Sequence, residues 1–90
     1  MKKFKFYYDQ ESGKRHFENH GVTIQEIDEF FNDTKYLCQK LKDNSYVAYS
    51  KLESWRCLKT IYRLLEKDIL LIITAYDIED KEIINLLNAL

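Results

Sequence analysis

Ninety residues, 46% of them apolar and 32% charged, are typical of one globular domain, and no low-complexity tract divides the chain. The net charge of −1 argues against a protein that coats nucleic acid through a general basic excess. No apolar run is long enough to cross a bilayer, and the start of the chain lacks the apolar segment of a signal peptide. We therefore expect a cytoplasmic protein whose Cys38 and Cys57 stay reduced and form no metal or redox motif.

The first predicted elements are a strand and a short helix. In "KFKFYY", Lys3 to Tyr8, side chains alternate with the period of two that a half-buried strand requires. Asp9 then provides a good N-cap for a helix that runs to Asn19, although Gly13 lies inside it.

A junction between two helices is predicted in "HGVTIQEIDEFF", residues 20–31. Gly21 supplies the left-handed residue that ends the first helix. Thr23 and Glu26 have the spacing of a capping box at the start of the second, which runs from about Ile24 to Phe31. One apolar face of this helix carries Ile27, Phe30 and Phe31.

The second half of the chain is rich in predicted strands. Lys35 to Leu41 is a weak candidate, "KDNS" is a turn, and Tyr46 to Ser50 is a better strand because aromatic and β-branched residues dominate it. Lys51 to Asp68 is ambiguous, since it also fits a helix. The turn "EKD" and the apolar run Ile69 to Tyr76 favour a strand hairpin, with Trp55 to Leu65 as its first strand.

A C-terminal helix completes the predicted fold. It begins at Asp77 or Glu79, and one apolar face carries Ile83, Ile84, Leu87 and Leu90. The order of elements predicts an α+β domain. Two N-terminal helices would pack on a small antiparallel β-sheet, and a third helix would follow it.

Taken together, these motifs resemble the BrnT-type toxins of bacterial type II toxin–antitoxin systems. The matching features are Tyr8-Asp9 at the end of the first strand, "HGV" at residues 20–22 and Thr-x-x-Glu at 23–26. They continue with Arg56 at the start of a strand and "IITAYD" at residues 72–77. The chain departs from the family at Ser12, His16 and Asn19, and at Thr74-Ala75-Tyr76, where many members carry an arginine. The C-terminal helix is acidic and apolar rather than basic.

The resemblance implies a RelE-like fold and a metal-independent ribonuclease that blocks translation, with no cofactor. It implies two partners: RNA, free or on the ribosome, and a small cognate antitoxin protein. The antitoxin would cover a surface that includes Lys3, Lys5 and Arg56. A homodimer or a toxin–antitoxin hetero-oligomer is compatible with this interpretation, as is a non-catalytic domain that keeps only protein binding.

Three residues are candidates for the catalytic role. Arg56 suits a phosphate because a guanidinium donates a fork of hydrogen bonds and stays charged; an ordinary surface ion pair is the alternative. His20 is a general acid or base, or else it stabilises the last carbonyls of the helix it ends. Tyr76 donates its hydroxyl to RNA or stacks on a base, or else packs in the core.

Three further residues are candidates for RNA and phosphate binding. Lys3 and Lys5 share one face of the first strand, where they also fit the protection of a sheet edge. Arg63 lies seven residues after Arg56, so on a regular strand it points to the opposite face. His16 and His20 have the spacing of a zinc pair, but no third ligand is apparent, and we predict no metal site.

Overall fold

A five-stranded sheet and two α-helices form the molecule, in a computed structural model that describes all 90 residues. The strands are β1 (Lys3–Phe6), β2 (Tyr36–Lys40), β3 (Ser45–Lys51), β4 (Cys57–Glu66) and β5 (Ile69–Asp77), and the helices are α1 (Ile24–Asn32) and α2 (Lys81–Asn88). Across the sheet the order is β1-β5-β4-β3-β2. The protein therefore belongs to the α+β class, but the predicted arrangement is wrong in two respects.

The first correction concerns the sheet, which is mixed rather than antiparallel. β1 runs parallel to β5, with Lys3 opposite Ile69 and Phe6 opposite Ile72, whereas the other three pairings are antiparallel. A two-residue period identifies a strand without identifying its neighbour. Parallel neighbours need a long crossover connection, and here the whole segment from α1 to β4 lies between them.

The second correction concerns the first predicted helix, Asp9 to Asn19, which is not an α-helix. Asp9 closes a tight loop instead, because its side chain accepts a hydrogen bond from the Glu11 amide and its carbonyl accepts one from Gly13. Gly13 has a φ of 69°, which a helix does not allow. Only a 3₁₀ helix, His16–His20, remains, so the chain has two α-helices rather than three.

The start of α1 is confirmed in detail. The Thr23 hydroxyl accepts a hydrogen bond from the Glu26 amide, and the Glu26 carboxylate accepts one from the Thr23 amide. Gly21 ends the 3₁₀ helix with a φ of 74°. The predicted apolar face is buried and consists of Ile27, Phe30 and Phe31.

The segment from Lys51 to Asp68, whose sequence also fits a helix, contains a strand as predicted. This strand, β4, begins at Cys57 rather than at Trp55. Trp55 lies in the preceding turn with a φ of 73° and is 76% exposed. Asp43 and Asn44 are the central residues of the β2–β3 turn and both have left-handed φ values, and the Ser45 amide donates to the Lys42 carbonyl across them.

The core lies between α1 and one face of the sheet. Phe17 of the 3₁₀ helix, the α1 face, and inward residues of β3, β4 and β5 form one buried cluster. α2 packs against β3 and buries Leu87; Leu90 lies beyond its end and is 58% exposed, so it does not join the predicted face. Neither helix has the length and apolar character needed to span a bilayer. The sheet face away from α1 is thus only partly covered.

Candidate functional site

A groove of about 820 Å³ runs across the sheet face away from α1. The 3₁₀ helix bounds one side with His16 and His20, and Ile83 of α2 bounds another. Five side chains from the three central strands line the groove between them: Tyr49, Lys59, Ile61, Thr74 and Tyr76. The groove thus gathers two imidazoles, an ammonium group and two phenols.

A β-bulge in β5 turns two of these side chains into the groove. Tyr62 pairs with Ile72, but Ile61 pairs with Thr74, so Ile73 is an extra residue on β5. Residues directly opposite each other share a face, and Ile61 faces the groove. The bulge therefore brings Thr74 and Tyr76 onto the groove face, whereas an unbroken alternation from Ile72 would place both in the core.

Lys59 lies between two tyrosines in one row across the sheet. It pairs with Tyr49 on β3 and with Tyr76 on β5. Its ammonium nitrogen lies 5.8 Å from the Tyr49 ring centroid and 5.5 Å from that of Tyr76, both within the range of cation–π attraction. The two rings hold the cation over the sheet, where it is available to an anion.

The two histidines continue this row beyond Tyr76. The His20 ring centroid lies 5.6 Å from that of Tyr76 and 5.6 Å from that of His16. His20 is exposed at the end of the 3₁₀ helix, and His16 is half-buried. No group of three or more His, Cys, Asp or Glu side chains is arranged to hold a metal ion. We call His16, His20, Tyr76, Lys59 and Tyr49 the groove row.

Arg56 lies on the other side of the sheet, and all five of its N–H donors are occupied. Nε and Nη2 donate to the two carboxylate oxygens of Asp77, at 2.7 and 3.0 Å. Nη1 donates to the Glu26 carboxylate and to the Gly21 carbonyl, each at 3.0 Å, and Nη2 also reaches the His20 carbonyl at 3.4 Å. Arg56 therefore has no free donor for a substrate phosphate in this arrangement.

These contacts change the protonation behaviour of the pair. The hydrogen bond to Asp77 is the largest cause that raises the pKa of Arg56, and the carboxylates of Glu26 and Asp77 reinforce it. In return, the hydrogen bond from Arg56 holds the pKa of Asp77 below its ordinary value. The ion pair is thus fully charged at neutral pH, and it ties the end of β5 to the start of α1.

Arg56 also fixes the backbone that carries His20. Its guanidinium holds the carbonyls of His20 and Gly21, and these two residues join the 3₁₀ helix to α1. Arg56 therefore acts on the groove through the position of His20 rather than by contact.

The three predicted RNA-binding residues share the groove face of the sheet. Lys5 pairs with Leu71 and Leu71 with Arg63, so these side chains form one row, and Lys3 lies two residues before Lys5. They lie towards the opposite end of the sheet from Tyr76, and none of them lines the groove. Arg63 donates to the Asp43 carbonyl at 2.7 Å and is otherwise exposed. As predicted, it faces away from Arg56.

Sequence reasoning named two members of the groove row for the site, His20 and Tyr76, and missed Lys59 and Tyr49. Lys59 pairs with residues 10 positions before it and 17 after it, and only the strand register shows this. Only the alternation of side chains along a strand could have separated Lys59 from Arg56. The two residues are three positions apart, so their side chains lie on opposite faces of the sheet.

Three carboxylates at one end of the groove disfavour the binding of a polyanion there. Asp77, Glu79 and Asp80 line it where β5 leads into α2. Arg56 forms an ion pair with Asp77. Asp80 caps α2 by accepting a hydrogen bond from the Glu82 amide, and neither Asp80 nor Glu79 forms a salt bridge. No protein-family model matches the chain, and no curated protein shows significant similarity to it.

Proposed function

We propose that this protein is a metal-independent ribonuclease that cleaves RNA in the groove, and that it serves as the toxin of a toxin–antitoxin pair. The observation that carries the proposal is the groove row, in which two histidines, a tyrosine and a lysine converge on one concave surface. Side chains of these types suffice for phosphodiester cleavage by the 2′-hydroxyl.

His16, His20, Lys59 and Tyr76 of the groove row have roles in this reaction. One imidazole accepts the 2′-hydroxyl proton as that oxygen attacks the phosphorus. Lys59 balances the charge that builds on the non-bridging oxygens. The other imidazole, or the Tyr76 hydroxyl, donates a proton to the departing 5′-oxygen. A spacing of 5.6 Å between the His16 and His20 rings is compatible with one group on each side of a phosphate.

The toxin role is supported by the sequence resemblance, which includes the "HGV" and "IITAYD" segments. The first of these carries His20 and the second carries Tyr76, so both segments contribute to the groove row. We propose that the antitoxin covers the groove face, where Lys3, Lys5 and Arg63 add positive charge beyond the groove.

A non-catalytic protein-binding domain is the second candidate function, and two observations favour it. Arg56, the arginine that suits a phosphate best by residue type, is fully engaged with protein acceptors, and Glu79 adds negative charge to the groove. In this alternative the groove face binds only a partner protein.

Product analysis separates the two functions. Purified protein is incubated with a single-stranded RNA oligonucleotide and with ribosomes carrying mRNA, with and without a chelator, and the fragments are analysed by mass spectrometry. We expect fragments that end in a 2′,3′-cyclic phosphate in both the presence and the absence of the chelator. Intact RNA in every sample, from a protein shown to be folded, would favour the non-catalytic function.

A further inference from the structure

We propose that Arg56 is a positioning residue for RNA cleavage, because its guanidinium joins the two backbone segments that carry His20 and Tyr76. This bridge sets the distance between the two rings in the groove row. Its effect on the rate rests on the proposed function, whereas the bridge itself is measured without RNA. The role of Arg56 is thereby extended from the position of one ring to the spacing of a pair.

The two rings come from segments that no backbone hydrogen bond joins. His20 ends the 3₁₀ helix, and Tyr76 lies near the end of β5. The buried Phe17 side chain holds the 3₁₀ helix against the sheet, but apolar packing is not directional and lets a segment slide. A directional contact between the segments is therefore required to fix the 5.6 Å between the His20 and Tyr76 ring centroids.

Arg56 provides this contact through one nitrogen. Nη2 donates to Asp77, the residue after Tyr76, at 3.0 Å and to the His20 carbonyl at 3.4 Å. Two further donors strengthen the bridge on each side: Nε donates to the second Asp77 oxygen at 2.7 Å, and Nη1 to the Gly21 carbonyl at 3.0 Å. A guanidinium is planar and its donors are fixed relative to one another, so the two segments cannot shift without breaking hydrogen bonds.

Glu26 keeps the guanidinium in place. Both oxygens of its carboxylate accept from Arg56 Nη1 at 3.0 Å, and the Arg56 side chain is only 26% exposed. The same carboxylate accepts from the Thr23 amide in the capping box of α1. The bridge is thus anchored to a helix as well as to a strand, and a rotamer change at Arg56 would leave charged groups unpaired.

Catalysis by a set of groups depends steeply on their spacing. A displacement of about 1 Å, caused by a substitution far from the reacting atoms, can cost on the order of a hundredfold in rate. In the proposed reaction His20 and Tyr76 both act next to the scissile phosphate, so the spacing of their rings is part of the geometry that the rate requires. Loss of the bridge should therefore lower kcat, whereas KM should change little because Lys59 and the walls of the groove remain.

Arg56→Lys tests the bridge, because it keeps the charge and removes the fork of donors. NMR of the folded protein measures the NOE between the ring protons of His20 and Tyr76, and only two histidines need to be assigned. We expect this NOE to weaken or disappear in Arg56→Lys, kcat to fall about tenfold or more, and KM to stay within about twofold. Asp77→Asn should move the NOE and kcat in the same direction, and it serves as the test if Arg56→Lys does not fold.

Leu70→Val is the control for a purely structural effect. Leu70 is buried in the core near the opposite end of β5, where it pairs with Phe4 and Leu64. Its truncation destabilises the fold without touching the bridge. We expect the wild-type NOE and the wild-type kcat in this variant, at a temperature at which thermal unfolding shows that it is folded.

Two results would overturn the inference: an unchanged NOE and kcat in folded Arg56→Lys, or equal losses in Arg56→Lys and Leu70→Val. Both are separable from failure of the ribonuclease proposal. An NOE that depends on Arg56, in a protein that cleaves no RNA, would support the bridge and reject the enzyme. Cleavage at the wild-type rate by folded Arg56→Lys would do the reverse.

Discussion

Arg56 is the residue whose role the structure changes most. As a phosphate ligand it would be replaceable without loss of stability, but its five donors instead hold two carboxylates and two carbonyls. We predict that Arg56→Ala lowers the free energy of unfolding by about 1–3 kcal/mol, the usual range for hydrogen bonds to charged groups. Urea unfolding measures this. Arg63→Ala is the control, and equal stabilities of the two variants would contradict the structural role.

Asp77 makes the same ion pair sensitive to acid. Its pKa is lowered in the folded state from an ordinary value of 3.8, so the pair stabilises the fold above that value and is lost as the pH falls through the folded pKa. We predict that the stability difference between wild type and Asp77→Asn is constant near neutral pH and shrinks below about pH 4. Urea unfolding over a pH series checks this, and a difference that grows in acid would have the wrong sign.

At the residue scale, the sequence identified groups by type more readily than by contact. His20 and Tyr76 were predicted separately and lie together in the groove. Arg56 was predicted from its chemistry, yet that same chemistry suits carboxylates of the protein, and the sequence does not show that Glu26 and Asp77 come within reach.

The start of α1 is the element whose stability follows most directly from sequence. Thr23 and Glu26 form both hydrogen bonds of a capping box. We predict that Thr23→Ala costs about 1 kcal/mol of stability, whereas Thr23→Ser, which keeps the hydroxyl, stays close to wild type. Thermal or urea unfolding of both variants tests this. Equal losses in the two variants would mean that the hydroxyl does not stabilise the helix.

Elements with a strong local signal were predictable, and those that depend on a competing local interaction were not. The apolar periods of α1 and β5 identified both elements within a residue or two. The Asp9–Asn19 helix failed because Asp9 closes a turn as readily as it caps a helix, and Gly13 favours the turn. The bulge at Ile73 could not be predicted from the sequence, because a run of apolar β-branched residues fits either face of a sheet.

The distribution of charge over the whole molecule governs how a partner would bind. Lys3, Lys5, Lys59 and Arg63 all belong to the groove face, although the net charge of the chain is −1. If an antitoxin covers this face, complex formation should weaken as salt rises, and Lys5→Glu should weaken it further. Lys40→Glu, on the outer strand β2, is the matched control. An affinity indifferent to salt and to Lys5→Glu would contradict this surface.

The topology of the whole molecule could be predicted only in part. Strand and helix patterns indicated an α+β protein, but the parallel pairing of β1 with β5 depends on where the chain returns after five other elements, the 3₁₀ helix included. The parallel pairing of β5 with β1 also brings together the walls of the groove. These walls are residues 16–20 and α2, which lie far apart in the sequence.

The most direct test of the account is the rate of RNA cleavage by groove variants, measured in chelator on one single-stranded substrate. Removal of one preorganised group that stabilises the transition state typically costs on the order of a hundredfold or more in rate. We predict losses of this size for Lys59→Ala and His20→Asn, in folded protein, and a wild-type rate for Lys40→Ala. Cleavage by Lys59→Ala and His20→Asn at the wild-type rate, or no cleavage by the wild type, would contradict a reaction in the groove.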